Sequence, residues 1–341
     1  MSHCKLSSII IAIAVLCLIS CKKKDETKVT PSLDGALSFT VPAYAQPGTK
    51  VTMTPSGVEH PDGKELGYYW KVTPSMVKSD TTRFENGLDK NGNPSDGSFT
   101  FTFPDTLQTY TVQGYAYAKG YSYATKTINC KVVEGGIDGS IINLGLADKA
   151  TVTINGNTYP YVTIDGTDWL CRNISDQSAG APYDNYKVMS DVFGRYYSYE
   201  EAMTICPEGW RLPTNEEWAA IGKENDIAKL MGNGYFNDEL MWEYWPSVGE
   251  ITNTTGLSII PAGYALLSSK ATEPQQNAHI DGLYPQAQFK GYMEYAVFWT
   301  ADMAEDEANM AYYRYIICDQ PELMLGKADT KTFGASVRCV R

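Results

Sequence analysis

Polar and apolar residues alternate with a period of two along much of residues 37–134. Thr49-Lys50-Val51-Thr52-Met53-Thr54 is one such run, and Ser98-Phe99-Thr100-Phe101-Thr102-Phe103 is another. Leu66 to Val72 carries a central Trp70, and Thr109 to Tyr117 and Thr125 to Val133 extend the pattern. Successive side chains of an extended strand point to opposite faces, so each run offers one apolar face to a core. Pro47-Gly48, Pro61-Asp62-Gly63 and Asn91-Gly92 supply turns between the runs. Short alternating strands separated by turns predict an antiparallel β-sandwich over 37–134.

The pattern changes after a linker at 135–148. Ser198-Tyr199-Glu200-Glu201 and Thr214-Asn215-Glu216-Glu217 are both hydroxyl-x-x-Glu helix starts. In each, the hydroxyl accepts the third backbone N–H while the Glu reaches back to the cap. The first predicts a helix from Tyr199 to Cys206, stopped by Pro207. The second predicts one from Asn215 to Ile221, ending near Gly222. The rest of 149–341 reads as short strands and long loops. The expected architecture is an all-β domain followed by an α+β domain with two short helices.

The first residues read as an export signal. Lys5 precedes an unbroken apolar run, Ile9 to Ile19, too short to span a bilayer. The run closes on Leu18-Ile19-Ser20-Cys21, which resembles a bacterial lipobox. That resemblance implies a signal peptide of residues 1–20 and a lipid anchor on Cys21 in the outer membrane. Lys22-Lys23-Lys24-Asp25-Glu26 resembles the surface-export signal of Bacteroidetes lipoproteins, and residues 21–36 are expected to form a flexible polar tether.

Composition narrows the chemistry. The formal net charge is −12, which argues against nucleic acid and other anionic partners. The only histidines are His3, His60 and His279, too few for a zinc site or a histidine-based catalytic set. Beyond Cys21 the cysteines are Cys130, Cys171, Cys206, Cys318 and Cys339, with no CxxC. In an exported chain this suggests two disulfides and one thiol left over. Cys130, on the last strand of the sandwich, is expected to be a buried inert thiol. Asp89, Asn91 and Asn93 alternate as in a calcium loop, but Gly92 and Pro94 break the EF-hand order, so a plain loop is expected.

The first domain resembles PKD-like and other immunoglobulin-like modules of bacterial surface proteins, on Pro47-Gly48, Trp70 and Tyr110-Thr111-Val112. It lacks that family's W-x-F-G-D-G. Such modules act mostly as spacers. The second domain carries a closer resemblance. Gly194-Arg195-Tyr196-Tyr197-Ser198-Tyr199-Glu200-Glu201-Ala202 is followed by Cys206-Pro207-Glu208-Gly209-Trp210-Arg211-Leu212-Pro213-Thr214-Asn215-Glu216-Glu217-Trp218. Together these resemble the Fibrobacter succinogenes major paralogous domain (FISUMP). Segments Ile154–Tyr159, Asp168–Asn173, Thr252–Leu257, Pro261–Tyr264, Phe298–Ala301 and Ser336–Val340 match the family's flanking pieces in order. The resemblance implies a C-type-lectin-like fold, with Trp210, Trp218 and Trp299 in the core. It also implies a disulfide between Cys206 and Cys339, with Cys171 and Cys318 as a second pair.

A more distant likeness to formylglycine-generating enzymes raises catalysis as an alternative. Their closely spaced cysteine pair is missing here, so no enzyme activity and no metal are expected. A lectin-like frame instead implies a binding module for an extracellular glycan or a surface protein. Trp242 and Trp245, in an aromatic cluster with Tyr235, Phe236 and Tyr244, are expected to pack in the core or within loops, and are at the same time the candidate ligand contacts. Glu273-Pro274-Gln275 resembles the calcium- and sugar-binding tripeptide of C-type lectins, without its later W-N-D partner. Calcium is therefore a minor expectation. A structural or adhesive role in a surface assembly or pilus is the remaining class.

Overall fold

The structure is a computed structural model that describes residues 29–75, 81–134, 141–142, 144–223, 226–237, 239–243, 249–274 and 277–341. Its first unit is built on a five-stranded sheet. In spatial order the strands are Tyr44–Ala45, Ala124–Val132, Thr109–Tyr117, Gly67–Thr73 and Thr81–Phe84. All neighbours are antiparallel except Tyr44–Ala45, which runs parallel to Ala124–Val132. Two strand pairs complete the unit, Asp34–Ser38 with Ser56–Glu59 and Lys50–Met53 with Phe99–Thr102.

The period-two pattern explains this core. Tyr110, Val112 and Ala116 point inward from one strand and are fully buried, while Thr111, Gln113 and Tyr115 alternate with the inward positions and are partly exposed. Trp70 sits at the centre, edge-on to Phe39 at 4.9 Å, and donates its indole N–H to Gly97 O at 2.8 Å. Gly114 shares that inward face because a Cβ there would lie 2.8 Å from both the Phe39 and Trp70 rings. Cys130 is fully buried, and burial pushes its thiol up to about 12.

Two expected boundaries move. The tether was expected to reach residue 36. Instead Ser32 bridges to Ser122, Leu33 and Leu37 are buried, and Asp34 already pairs with Glu59. Apolar side chains at 33 and 37 reward joining the core, so the unit begins near residue 32. Cys21 and the charged run at 22–26 lie outside the described residues. The linker expected at 135–148 ends early for the same reason: Ile141–Ile142 pairs with Tyr235–Phe236, and Leu144 and Leu146 are buried.

The second unit is strand-rich, with three short α-helices among the described residues. These are α1 (Met189–Phe193), α2 (Tyr199–Ile205) and α3 (Asn215–Ile221). The last two match the expected helices; α1 was not foreseen. Small antiparallel sheets surround them, the largest being Tyr295–Met303 with Met310–Ile317 and Met324–Asp329. This sheet is buried on both faces, by Val297 and Trp299 on one side and by Ala296 and Phe298 on the other.

The two units pack directly on one another. Val133 shares an apolar cluster with Leu144, Leu146, Phe193 and Phe236. Tyr186 accepts the Ala43 N–H at 3.0 Å, Asn237 donates to Val132 O at 2.9 Å, and Lys131 lies 4.8 Å over the Phe236 ring. The first unit is therefore docked along its side of the second rather than strung from it.

Candidate functional site

The site rests on a frame made by the motif residues. In α2, Ser198 Oγ accepts the Glu201 N–H while Glu201 accepts the Ser198 N–H; Thr214 and Glu217 do the same at α3. Cys206 caps the end of α2 and is bonded to Cys339 across 133 residues of sequence. Pro207 and Gly209 shape the turn that follows, closed by a hydrogen bond from Trp210 N to Pro207 O at 2.9 Å. Arg211 then exchanges backbone bonds with Val340 and holds Glu217 through its Nη1 and Nη2, at 2.7 and 2.5 Å. Leu212 is buried, Pro213 accepts the Ala301 N–H, and Trp218 stacks on Phe298 at 4.9 Å.

The end of the chain is the bolt of this frame. Residues 335–341 exchange backbone bonds with residues around 168–174, 197 and 211. Arg338 is fully buried, and donates to Asn173 Oδ1 at 2.7 Å and to the carbonyls of Leu170 and Leu257. Burial pulls its guanidinium down to about 9. Gly194 turns the chain out of α1 at φ 77° and ψ −157°. The motif residues thus join the helices to the final strand, and of them Ser198, Glu200 and Glu201 also line a cleft.

The accessible chemistry lies on the long loop between strands Tyr264–Leu266 and Gln288–Lys290. Its base is tied down by Asp281, which accepts from Arg195 Nη2 at 2.8 Å and from Leu283 N at 3.0 Å. The Arg195–Asp281 pair is buried, and Arg195 also donates to Ala179 O, Gly180 O and Ser190 Oγ. Sequence reasoning gave Arg195 no role. Its partner lies 86 residues away, and no local pattern announces that pairing.

Beside this loop lies a cleft of about 710 Å³, lined among others by Glu201, Lys270, Tyr284, Lys331 and Thr332. Glu201 Oε1 accepts from Lys270 at 3.0 Å and from the Tyr284 hydroxyl at 2.9 Å. Burial alone would raise the Glu201 pKa, but the bonds from Lys270, Ser198 N–H and Tyr284 outweigh it and hold the carboxyl below its ordinary value. The same burial and the neighbouring carboxylate raise the Tyr284 phenol. The cleft therefore offers a fixed, ionised carboxylate beside a partly exposed ammonium.

The expected ligand contacts fare differently. Trp242 is fully buried and donates to Ile259 O at 2.9 Å, so it is a core residue and touches no ligand. Its neighbours Leu257 and Ile259 supply apolar cover that a loop-tip indole would lack. Trp245 and Gln275 lie outside the described residues. Glu273 lines a second cleft of about 560 Å³ with Asn277 and Asp281. The Asp281 and Asn277 side-chain oxygens there already accept hydrogen bonds, from Arg195 and Leu283 and from His279 N and Ile280 N. In the first unit, Asp89 takes the N–H groups of Asn91 and Asn93 at 2.8 and 2.9 Å.

Cys171 and Cys318 do not form the second disulfide. Both are buried thiols that sit in different apolar clusters, Cys171 beside Leu144 and Cys318 beside Trp218. Burial pushes the Cys171 thiol up to about 11, and it donates toward Gly256 O at 3.4 Å.

A family model for the Fibrobacter succinogenes major domain matches residues 147–341. The chain belongs to that family. The match starts just after the Leu144–Leu146 segment that enters the second core and runs to residue 341, so the family domain contains the frame just described. No curated protein matches the chain significantly. Among solved structures it is similar to that of the Yersinia pseudotuberculosis adhesin InvE, at 9% identity and a TM-score of 0.24, over 91% of this chain and 71% of that one. A likeness of that size carries no conclusion about fold or function.

Proposed function

We propose that this is a cell-surface lipoprotein, anchored in the outer membrane through Cys21, that presents a non-catalytic module for binding an extracellular glycan. In this reading the first unit is an immunoglobulin-like sandwich and the family domain is a C-type-lectin-like fold. The observation that carries the proposal is the long loop pinned by Arg195–Asp281 over the Glu201–Lys270–Tyr284 cleft. A hydroxyl-rich ligand needs fixed acceptors and donors side by side, and the cleft supplies both. Catalysis by a carboxyl acid needs a pKa raised toward neutrality, whereas that of Glu201 is lowered. No cofactor enters the proposal.

A glycan array probed with residues 22–341, with calcium and with a chelator, tests it. Saturable binding that survives the chelator and falls about tenfold in Lys270→Ala is the expected outcome; a tenfold loss corresponds to about 1.4 kcal/mol, the size of one charge-assisted hydrogen bond. Lys270 is half exposed, so this variant keeps the fold. A folded sample that binds no glycan but captures a surface protein would replace this reading with a structural or adhesive one.

A further inference from the structure

The first unit was expected to be a spacer, yet it carries a cleft of about 1270 Å³. One wall is the hairpin 118–123 between strands Thr109–Tyr117 and Ala124–Val132; the other is formed by residues 60–67 and 85–86. We propose that this cleft is a second ligand site, for a neutral oligosaccharide, independent of the cleft on the family domain.

Three tyrosines make the case. Tyr123 is 68% exposed, an unusual state for so large a ring, and meets Tyr117 edge-to-face at 6.1 Å. Tyr117 is fixed from below by its hydroxyl, which donates to Phe84 O at 3.1 Å. Gly67 leaves room for that ring, since a Cβ there would lie 2.5 Å from it. Tyr121 is held edge-on to His60 at 4.8 Å. Aromatic rings fixed at a cleft wall present apolar faces to the C–H faces of sugars.

The polar groups fit the same ligand. The Glu65 carboxylate is positioned over Gly87, where a Cβ would come within 2.5 Å of it. Glu65 and Glu85 are matched by Lys64 and Lys119 around the cleft, so it carries no net charge. An ionic ligand gains nothing from a balanced site, and an anion is further opposed by the chain's net charge of −12. A neutral ligand with many hydroxyls can use donors and acceptors of both kinds.

The cleft is also open. Ser122 donates to Pro31 O, which fixes the hairpin beside the point where the chain enters the unit. The docked second unit meets the other end of strand Ala124–Val132, at Lys131 and Val132. The eight steps of that strand span about 26 Å, at about 3.3 Å each, and among the described residues none of the second unit lines the cleft.

Isothermal titration of residues 22–341 with cellohexaose, xylohexaose, mannohexaose and laminarihexaose tests the proposal. At least one should bind saturably, equally well at about 50 and 500 mM salt, because a neutral ligand is not screened. Tyr123→Ala should weaken that binding about tenfold and Tyr123→Phe should retain it, while Lys270→Ala leaves it unchanged. Tyr123 contributes little to the core, and matching thermal melts would show that both variants fold. Binding of none of the four sugars would overturn the proposal. So would binding lost in Lys270→Ala but kept in Tyr123→Ala, which belongs to the other cleft, or binding that collapses with salt, which marks an ionic ligand such as a charged peptide.

Discussion

At the scale of single residues, Gly194 illustrates how a family motif and a function can be separate. Its φ of 77° and ψ of −157° lie in a region essentially closed to side chains, and a Cβ would sit 2.5 Å from Asn173 and 2.8 Å from Ile174 O. Gly194→Ala should therefore cost about 1–3 kcal/mol, read as a lower denaturation midpoint, without weakening ligand binding in the fraction that remains folded. Trp242 shows the converse. An aromatic cluster in sequence left both core packing and ligand contact open, and burial is decided by residues such as Ile259 on the facing segment. The same holds for Cys171 and Cys318: counting thiols suggests a pair, and only the fold shows that separate clusters hold them apart.

At the scale of elements, what was legible is what local chemistry controls. Both capping boxes form as the spacing of Ser198 and Glu201, and of Thr214 and Glu217, predicted. The alternating strands of the first unit form because period two allows only one buried face. Helix α1 was missed because it has neither an N-cap hydrogen bond nor a long periodic stretch; packing of Met189, Val192 and Phe193 makes it. The caps also set a pH response. The Arg211 hydrogen bonds hold Glu217, and those of Lys270, Ser198 and Tyr284 hold Glu201, below the ordinary carboxyl value. The folded state then binds these protons more weakly than the unfolded chain, so their contribution is complete above the ordinary glutamate pKa of 4.5 and is lost as the pH falls below it. Urea midpoints should stay level from about pH 7 to about 5 and drop as the pH falls further, and Glu217→Gln should flatten part of that drop. Thr214→Ala should cost about 1 kcal/mol at neutral pH.

For the whole molecule, the decisive contact is the one that joins α2 to the last strand. Cys206 and Cys339 close 133 residues, nearly the whole family domain from its first motif helix to its end. Cross-linking so long a loop removes much of the unfolded chain's freedom, about 4–5 kcal/mol on a loop-entropy estimate. The same strand end is also held by noncovalent means: the Arg211–Val340 exchange, the Asp168–Arg341 exchange and the buried Arg338 fan of hydrogen bonds. These persist in a reduced protein, so the native geometry does not depend on the bond even though its stability does. The double variant Cys206→Ala/Cys339→Ala should thus lose several kcal/mol in denaturant titrations while retaining native near-ultraviolet dichroism from Trp218 and Trp299 at low temperature. The first unit, which contains neither cysteine, should unfold at an unchanged midpoint if its own core dominates, and at a lowered one if the shared Val133–Leu144–Phe236 cluster couples the units. The continuity of that cluster, together with the Tyr186–Ala43 and Asn237–Val132 bonds, favours coupling. A single lowered transition, followed through Trp70 as well as the family-domain indoles, is the expected result, and two separate transitions would mean that the docked units are energetically independent.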